Sequence, residues 1–178
     1  MADAATLPLL LRQLRLPTMA GCCEEITERA ITHGWSVPET LATLCEYELA
    51  ERERRRLERH LKEARLPSGK TLEAFDFQAI GGADRNQLSA LACDTGWIDQ
   101  ARNLLLFGPS GVGKSHLAAA ISHALIEQGL RVRYYAASAL VQELQMAKQA
   151  LRLSEALSKL DKYRLLVIDL CAAASYVE

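Results

Sequence analysis

The feature that most constrains the fold of this chain is the octapeptide at residues 108–115, Gly-Pro-Ser-Gly-Val-Gly-Lys-Ser. It matches the pattern G-x-x-x-x-G-K-[ST], in which glycines let the backbone wrap around phosphate oxygens. Lys114 is expected to reach the β- and γ-phosphates of a nucleotide, and Ser115 to place its hydroxyl on Mg²⁺. The motif therefore predicts a phosphate-binding loop rather than a glycine-rich turn that binds nothing.

The residues on either side of this loop supply the context that the motif needs. The apolar run at 103–107, Asn-Leu-Leu-Leu-Phe, is typical of a buried parallel strand. Residues 116–126 favour a helix that starts near Gly113 and ends at Gly129. A strand, a phosphate-binding loop and a helix in this order predict the α/β fold of P-loop NTPases, with a parallel sheet.

Further along the chain, the sequence predicts two more strands and two more helices. The strands are expected at 132–136 and 165–168, and the helices at 138–151 and 154–160. Asp169 follows the last strand, where α/β sheets bind ligands, and is predicted to hold Mg²⁺ through a water. Leu170 stands where many ATP-hydrolysing proteins have a second acid, and leucine cannot orient water. Binding chemistry therefore looks intact, whereas hydrolysis chemistry does not.

Composition excludes several classes of protein. The formal net charge of 178 residues is −1, so no global field favours nucleic acid. The five cysteines are odd in number and lack C-x-x-C spacing, which favours reduced thiols in a cytoplasmic protein. No apolar run reaches the length of a transmembrane helix, and no signal peptide is recognisable, so no membrane association is expected.

The chain divides on sequence into three parts. Residues 1–66 are expected to form a small all-helical N-terminal domain, residues 67–102 a linker and lead-in segment, and residues 103–178 a partial P-loop core. The first part contains three helix patterns, at 7–15, 19–34 and 38–65. Between the parts, Gly81-Gly82 is expected to be a loop and residues 86–95 a helix.

The second half of the third predicted helix is basic. Residues 51–70 contain eight arginines or lysines against four glutamates. The candidate DNA contacts are Arg52, Arg54, Arg55, Arg56 and Arg59. Two interpretations stay open at this point: guanidinium contacts to phosphates, and a solvated helix face with Glu–Arg pairs at i,i+3 and i,i+4 spacing.

The order of these parts resembles the IstB-like ATP-binding family, the helper ATPases of a class of insertion sequences. That family groups with the AAA+ proteins and the bacterial replication-helicase loaders. The resemblance covers about residues 7–169. The stretches that match the family are Leu7–Leu16, the Glu/Arg-rich helix, Leu72–Phe77, Asn103–Ala118, Val132–Leu144 and Tyr163–Asp169. The helical N-terminal region, the Phe-Asp-Phe lead-in and the run Gly-Lys-Ser-His-Leu-Ala together are more specific to this family than the phosphate loop, which many families share.

The resemblance implies an AAA+ ATPase that binds ATP and Mg²⁺, assembles as a homo-oligomer on double-stranded DNA and presents that DNA to a transposase. It implies Asp169 as the Walker-B acid and the N-terminal helices as the DNA-binding part. The nucleotide-binding set carried over is Gly108, Pro109, Ser110, Gly111, Val112, Gly113, Lys114, Ser115 and His116. Phe75 and Phe77 lie where the lead-in segment approaches the adenine, although two buried aromatic side chains are the ordinary interpretation.

The last residues depart from the family pattern. Family members continue well beyond the Walker-B strand with a sensor strand and an arginine finger. Residues 170–178 are expected to resemble neither the family nor a designed ending, as in a copy truncated by a premature stop or a frameshift, or in a gene remnant. The next strand of an AAA+ sheet lies between the Walker-B and phosphate-loop strands. Without it, we expect unpaired backbone, exposed apolar side chains, marginal stability and a tendency to associate.

Three alternatives to a transposition helper are considered. A replication-helicase-loader-like ATPase and a non-hydrolysing nucleotide- or DNA-binding remnant both stay open. A small-molecule P-loop kinase is disfavoured, because a basic helical region precedes the loop and no acceptor site is recognisable.

Overall fold

The computed structural model describes residues 4–77 and 85–170. The chain divides into two compact units, Met1–Arg56 and Leu57–Glu178. The predicted loop at Gly81-Gly82 and the tail from Cys171 lie outside the described residues. Within them, the chain forms helices and a small parallel sheet, and no helix is both long and apolar enough to cross a bilayer.

The first unit is helical, as predicted. Helix α1 spans Leu7–Gln13, helix α2 Pro17–His33 and helix α3 Val37–Ala64, each within two residues of its predicted bounds. The apolar faces of the three helices supply its core: Leu11, Met19, Ala20, Cys23, Ile26 and Leu44. The last turns of α3, from Leu57 onward, belong to the second unit.

A buried carboxylate fixes the start of α2. Glu48 Oε2 accepts hydrogen bonds from the backbone N–H groups of Thr18 at 2.8 Å and Met19 at 3.1 Å. These two donors have no partner inside their own helix. The other oxygen of Glu48 accepts from Arg52 Nε at 2.8 Å, and Arg52 Nη2 also donates to the Arg15 carbonyl at 2.6 Å. Glu48 therefore holds α2 to α3 by charge-assisted hydrogen bonds.

The second unit contains the sheet. Strand β1 spans Val132–Ala136, as predicted, and strand β2 spans Leu165–Asp169, one residue longer than predicted. They pair in parallel, with Val132 opposite Leu165 and Ala136 opposite Asp169.

The helices of the second unit pack around this sheet. Helix α4 is Arg85–Cys93, α5 Gly96–Asp99, α6 Lys114–Glu127, α7 Ala137–Gln149 and α8 Leu153–Leu160. Helix α5 is not predicted by the sequence. Helix α6 is the central element, and its buried residues join β1, α4 and the end of α3 in one core: Ala64, Phe75, Leu88, Ala92, Trp97, Leu117, Ile121, Leu125, Ile126 and Val132.

The predicted strand at 103–107 is wrong. These residues form no ladder, and the described sheet has only β1 and β2. Leu105 is 70% exposed and Phe107 86% exposed, which agrees with the expected exposure of apolar side chains. The physical reason is that a strand is defined by its hydrogen-bonded neighbour, and the space between this segment and β2 is a cavity.

We expect Glu48→Gln to lower the free energy of unfolding at pH 7 by about 2 kcal/mol, because a charged acceptor of buried N–H groups is lost. Burial by itself would raise the pKa of Glu48, but hydrogen bonds from Met19, Arg52 and Thr18 hold that pKa below its ordinary value. The stabilisation is therefore present above the unfolded-state pKa of about 4.3 and is lost as pH falls through the folded-state pKa.

Urea unfolding of both proteins between pH 3 and pH 7 measures this difference. The gap between wild type and Glu48→Gln should shrink as the pH falls. Glu46→Gln, an exposed change on the same helix, is the control and should match the wild type. A gap that stays constant with pH would contradict the role of the carboxylate charge.

Candidate functional site

The phosphate loop connects the extended segment at 103–107 to helix α6. Gly108, Gly111 and Gly113 have φ angles of 152°, 83° and 87°, which side chains rarely adopt. At Gly108 a Cβ would also lie 3.3 Å from Val112 Cγ2. Gly113 is the N-cap residue of α6, so the helix begins directly after it, as predicted. The free N–H groups at the N-terminus of α6 therefore point toward the place where the loop would bind an anion.

Lys114 closes the loop on itself in this structure. Its ammonium donates hydrogen bonds to the carbonyl oxygens of Gly108 at 2.9 Å and Pro109 at 2.5 Å. The positive charge is thus held at the first two residues of the loop, Gly108 and Pro109. A phosphate bound there would meet both the loop N–H groups and this ammonium, which is the donor set that an anion needs.

A single cavity of about 420 Å³ brings the sequence-predicted residues together. Lys114, Ser115 and Asp169 all line it, although Asp169 is distant in sequence from the other two. The wall on one side is the 103–107 segment, and the wall on the other side is β2. The pairing of β2 with β1 places Asp169 at the end of the sheet that faces the loop, as predicted from the rule for carboxyl ends of strands.

Tyr134 is a residue of this site that the sequence did not reveal. Its hydroxyl donates a hydrogen bond to Oδ2 of Asp169. Ala136 is opposite Asp169 in the ladder, so Tyr134, two residues earlier, has its side chain on the same face of the sheet. Only the parallel register makes this contact, since the two residues are far apart in the chain.

His116 is connected to the lead-in segment. Its Nε2 donates to the Thr71 carbonyl at 3.1 Å, and its ring lies edge-on to Phe75 with centroids 5.1 Å apart. Phe75 in turn packs against Phe77 at 4.9 Å. Phe75 is buried in the core of the second unit, which is the ordinary interpretation of these aromatic side chains.

The candidate DNA-contacting arginines are exposed on α3 and largely paired. Arg54 and Arg55 both donate to Glu51 at 2.7 Å, and Arg56 donates to Glu53 at 2.6 Å. The guanidinium of Arg54, followed by that of Arg55, lowers the pKa of Glu51 to about 2. Arg52 is bound to Glu48 as described above, whereas Arg59 lies exposed in the second unit. The Glu–Arg pairs expected of a solvated helix face are therefore present.

The residues at the cavity have the chemistry that a magnesium–nucleotide complex requires. A hydroxyl from Ser115 and a carboxylate from Asp169 are hard oxygen ligands, and Mg²⁺ usually takes one or two protein oxygens together with waters and phosphates. Across residues 4–77 and 85–170, no three His, Cys, Asp or Glu residues cluster as a self-sufficient metal site. Cys22, Cys23, Cys45 and Cys93 are free thiols.

Fold and loop together define a mixed helix–sheet protein of the ATP-binding class. The family model described as IstB-like ATP binding protein matches residues 9–174, and the chain belongs to that family, as the sequence predicts. On sequence, the resemblance is expected to end at Asp169, but the family match continues for five more residues. The expectation that the tail does not resemble the family is therefore wrong for residues 170–174.

Curated relatives agree with this assignment. A putative insertion-sequence ATP-binding protein of Sinorhizobium fredii is 48% identical over 167 residues, which are 94% of this chain and 56% of the relative. The putative ATP-binding protein of insertion sequence IS21 from Pseudomonas aeruginosa is 36% identical over 92% of this chain and 61% of its own length. A third, from IS5376 of Geobacillus stearothermophilus, is 35% identical over 88% and 62%. The chain thus spans somewhat more than half the length of these relatives.

We expect Gly113→Ala to destabilise the protein by about 1–2 kcal/mol, because alanine pays a steric penalty in the left-handed conformation. Gly21→Ala is the matched control, since Gly21 lies inside α2 and an added Cβ meets no atom within 4 Å. That change should stabilise by about 0.5–1 kcal/mol. Denaturant unfolding measures both, and equal effects of the same sign would contradict the loop geometry.

Proposed function

We propose that this chain is an ATP-binding helper protein of DNA transposition, of the AAA+ type. The observation that supports this most is the single cavity lined by Lys114, Ser115 and Asp169 beside an anion-binding loop. The relatives are named as ATP-binding proteins of insertion sequences, which supports a role in transposition. Residues 1–66 would serve DNA binding and assembly, residues 67–102 would be the lead-in, and residues 103–178 part of the ATPase core.

The nucleotide would be held by contacts from both walls of the cavity. The N–H groups of the loop from Gly108 to Gly113 and the α6 N-terminus would bind phosphate oxygens. Lys114 would exchange its two carbonyl acceptors for the β- and γ-phosphates. Ser115 would bind Mg²⁺ directly, and Asp169 would hold it through a water. When bound, Mg²⁺ neutralises phosphate charge.

Hydrolysis is proposed to be impaired. Leu170 follows Asp169 and is 78% exposed, and its side chain has no group that accepts a proton or orients a water. The leucine at this position favours a second candidate function, in which the protein binds a nucleotide but does not hydrolyse it. The two candidates share the binding step and differ in ATPase activity.

The proposed partners are double-stranded DNA, a transposase and further copies of the same chain, in the cytoplasm. DNA contact is assigned to Arg52, Arg54, Arg55, Arg56 and Arg59. The side chains of Arg54, Arg55 and Arg56 stay about half exposed while they pair with glutamates. A phosphate would compete with Glu51 and Glu53 for these groups, so the helix would bind DNA weakly unless several contacts form together.

We expect Lys114→Ala to weaken Mg²⁺–ATP binding by about 10- to 100-fold, the typical worth of a hydrogen bond to a charged group. Titration of a fluorescent ATP analogue into the full chain measures this. Lys159→Ala, an exposed lysine on the last turn of α8, is the control and should bind like the wild type.

Phosphate release from the same proteins separates the two candidate functions. Turnover above background that disappears in Lys114→Ala would contradict the non-hydrolysing candidate. Equal ATP affinity of wild type and Lys114→Ala would contradict the nucleotide site itself.

We expect replacement of Arg54, Arg55 and Arg56 by Gln to weaken duplex binding. The slope of log affinity against log salt should become shallower by about 3, one counterion for each lost phosphate contact. Fluorescence anisotropy with a labelled duplex at several salt concentrations measures the slope.

The converse variant uses the ion pairs seen on the helix. Replacing Glu51 and Glu53 by Gln removes the ion pairs that these two glutamates form with Arg54, Arg55 and Arg56, and should tighten duplex binding. Unchanged affinity in the arginine variant would remove α3 as the DNA-contacting surface.

A further inference from the structure

We infer that Tyr134 is a positioning residue for Asp169: its hydroxyl holds the carboxylate so that Mg²⁺ bound with a nucleotide meets it in a fixed orientation. This inference rests on the proposed Mg²⁺–ATP site. It deepens that proposal by assigning a role to a side chain outside the phosphate loop and outside the cavity lining.

Tyr134 holds Asp169 by a direct hydrogen bond between side chains. Tyr134 Oη donates to Oδ2 of Asp169. Asp169 lines the cavity with Lys114 and Ser115, whereas Tyr134 does not line it. The tyrosine therefore contacts the carboxylate from the protein interior, and the cavity is on the other side.

Burial and strand pairing fix the position of Tyr134. Tyr134 is 8% exposed and belongs to a strand whose ladder with β2 continues to Asp169 itself. The two side chains share one face of the sheet, and the ladder fixes the separation of the backbone positions that carry them. Asp169 stands at the last position of β2 and is only half-buried, so its own packing fixes it less firmly.

A hydrogen bond to a carboxylate that binds a metal affects how well the metal is held. Groups that hydrogen-bond a metal-binding carboxylate set its orientation, and their removal typically costs 10- to 100-fold in metal affinity. Because Asp169 would reach Mg²⁺ through a water, its orientation decides whether that water is held at all. Tyr134 should therefore affect the Mg²⁺-dependent part of nucleotide affinity and leave the Mg²⁺-independent part unchanged.

The neighbouring tyrosine provides a matched control. Tyr135 is buried to the same extent, at 9% exposed, and its side chain is on the opposite face of the strand. Its ring lies under the guanidinium of Arg133, 4.9 Å from the ring centroid. Tyr135→Phe removes the same hydroxyl from the same strand without touching Asp169.

The experiment measures binding of a fluorescent ATP analogue to the full chain, in Mg²⁺ and in EDTA, for wild type, Tyr134→Phe, Tyr135→Phe and Asp169→Asn. The ratio of the two affinities gives the coupling between Mg²⁺ and nucleotide. We expect Tyr134→Phe to reduce this coupling about tenfold and to leave affinity in EDTA unchanged. Tyr135→Phe should keep the wild-type coupling. A fifth protein that combines Tyr134→Phe with Asp169→Asn should differ little from Asp169→Asn alone.

The outcomes separate the two levels of the proposal. A wild type that binds no nucleotide overturns the proposed function. A wild type with coupling that Tyr134→Phe retains overturns only the role of Tyr134. If Tyr134→Phe also loses nucleotide affinity in EDTA, its effect is a general structural one, and the role of Tyr134 is overturned as well. Thermal melts of the nucleotide-free proteins identify that case. Because the ring remains in place, Tyr134→Phe keeps its packing and is expected to fold.

Discussion

The second unit depends on the parallel pairing of β1 with β2. This ladder places Ala136 opposite Asp169 and thereby brings the acidic end of β2 to the cavity that contains Lys114 and Ser115. The same register puts Tyr134 beside Asp169. A one-residue slip would turn these side chains to the other face of the sheet. The candidate site therefore exists only because the strand register is fixed, and the buried face around Val132 and helix α6 fixes it.

The first unit depends on a different kind of interaction, a carboxylate that serves backbone donors. Glu48 satisfies two N–H groups at the start of α2 and is itself paired with Arg52. An arginine proposed to contact DNA thus has a structural role, and its neighbours Arg54 and Arg55 share Glu51. On this helix, charge contributes to local order, and contact with phosphates would have to displace glutamate partners.

Sequence patterns predicted most of the elements for clear reasons. The starts and ends of α1, α2 and α3 follow from apolar spacing and from proline and glycine positions, which act within a few residues. Strands β1 and β2 were predicted because short apolar runs are typical of parallel strands. The run at 103–107 has the same pattern but no ladder, because apolar character alone does not provide a hydrogen-bonding neighbour.

The sequence by itself determined the phosphate loop, the family and the type of each candidate ligand, because these depend on residue identity at fixed local spacing. Positive φ angles at Gly108 and Gly113 and the start of α6 are local consequences of the same residues. Only the tertiary structure decided that Tyr134 contacts Asp169, that His116 bonds to Thr71 and that Arg52 bonds to the Arg15 carbonyl. Those contacts join residues distant in the chain, and their geometry is set by strand register and helix packing.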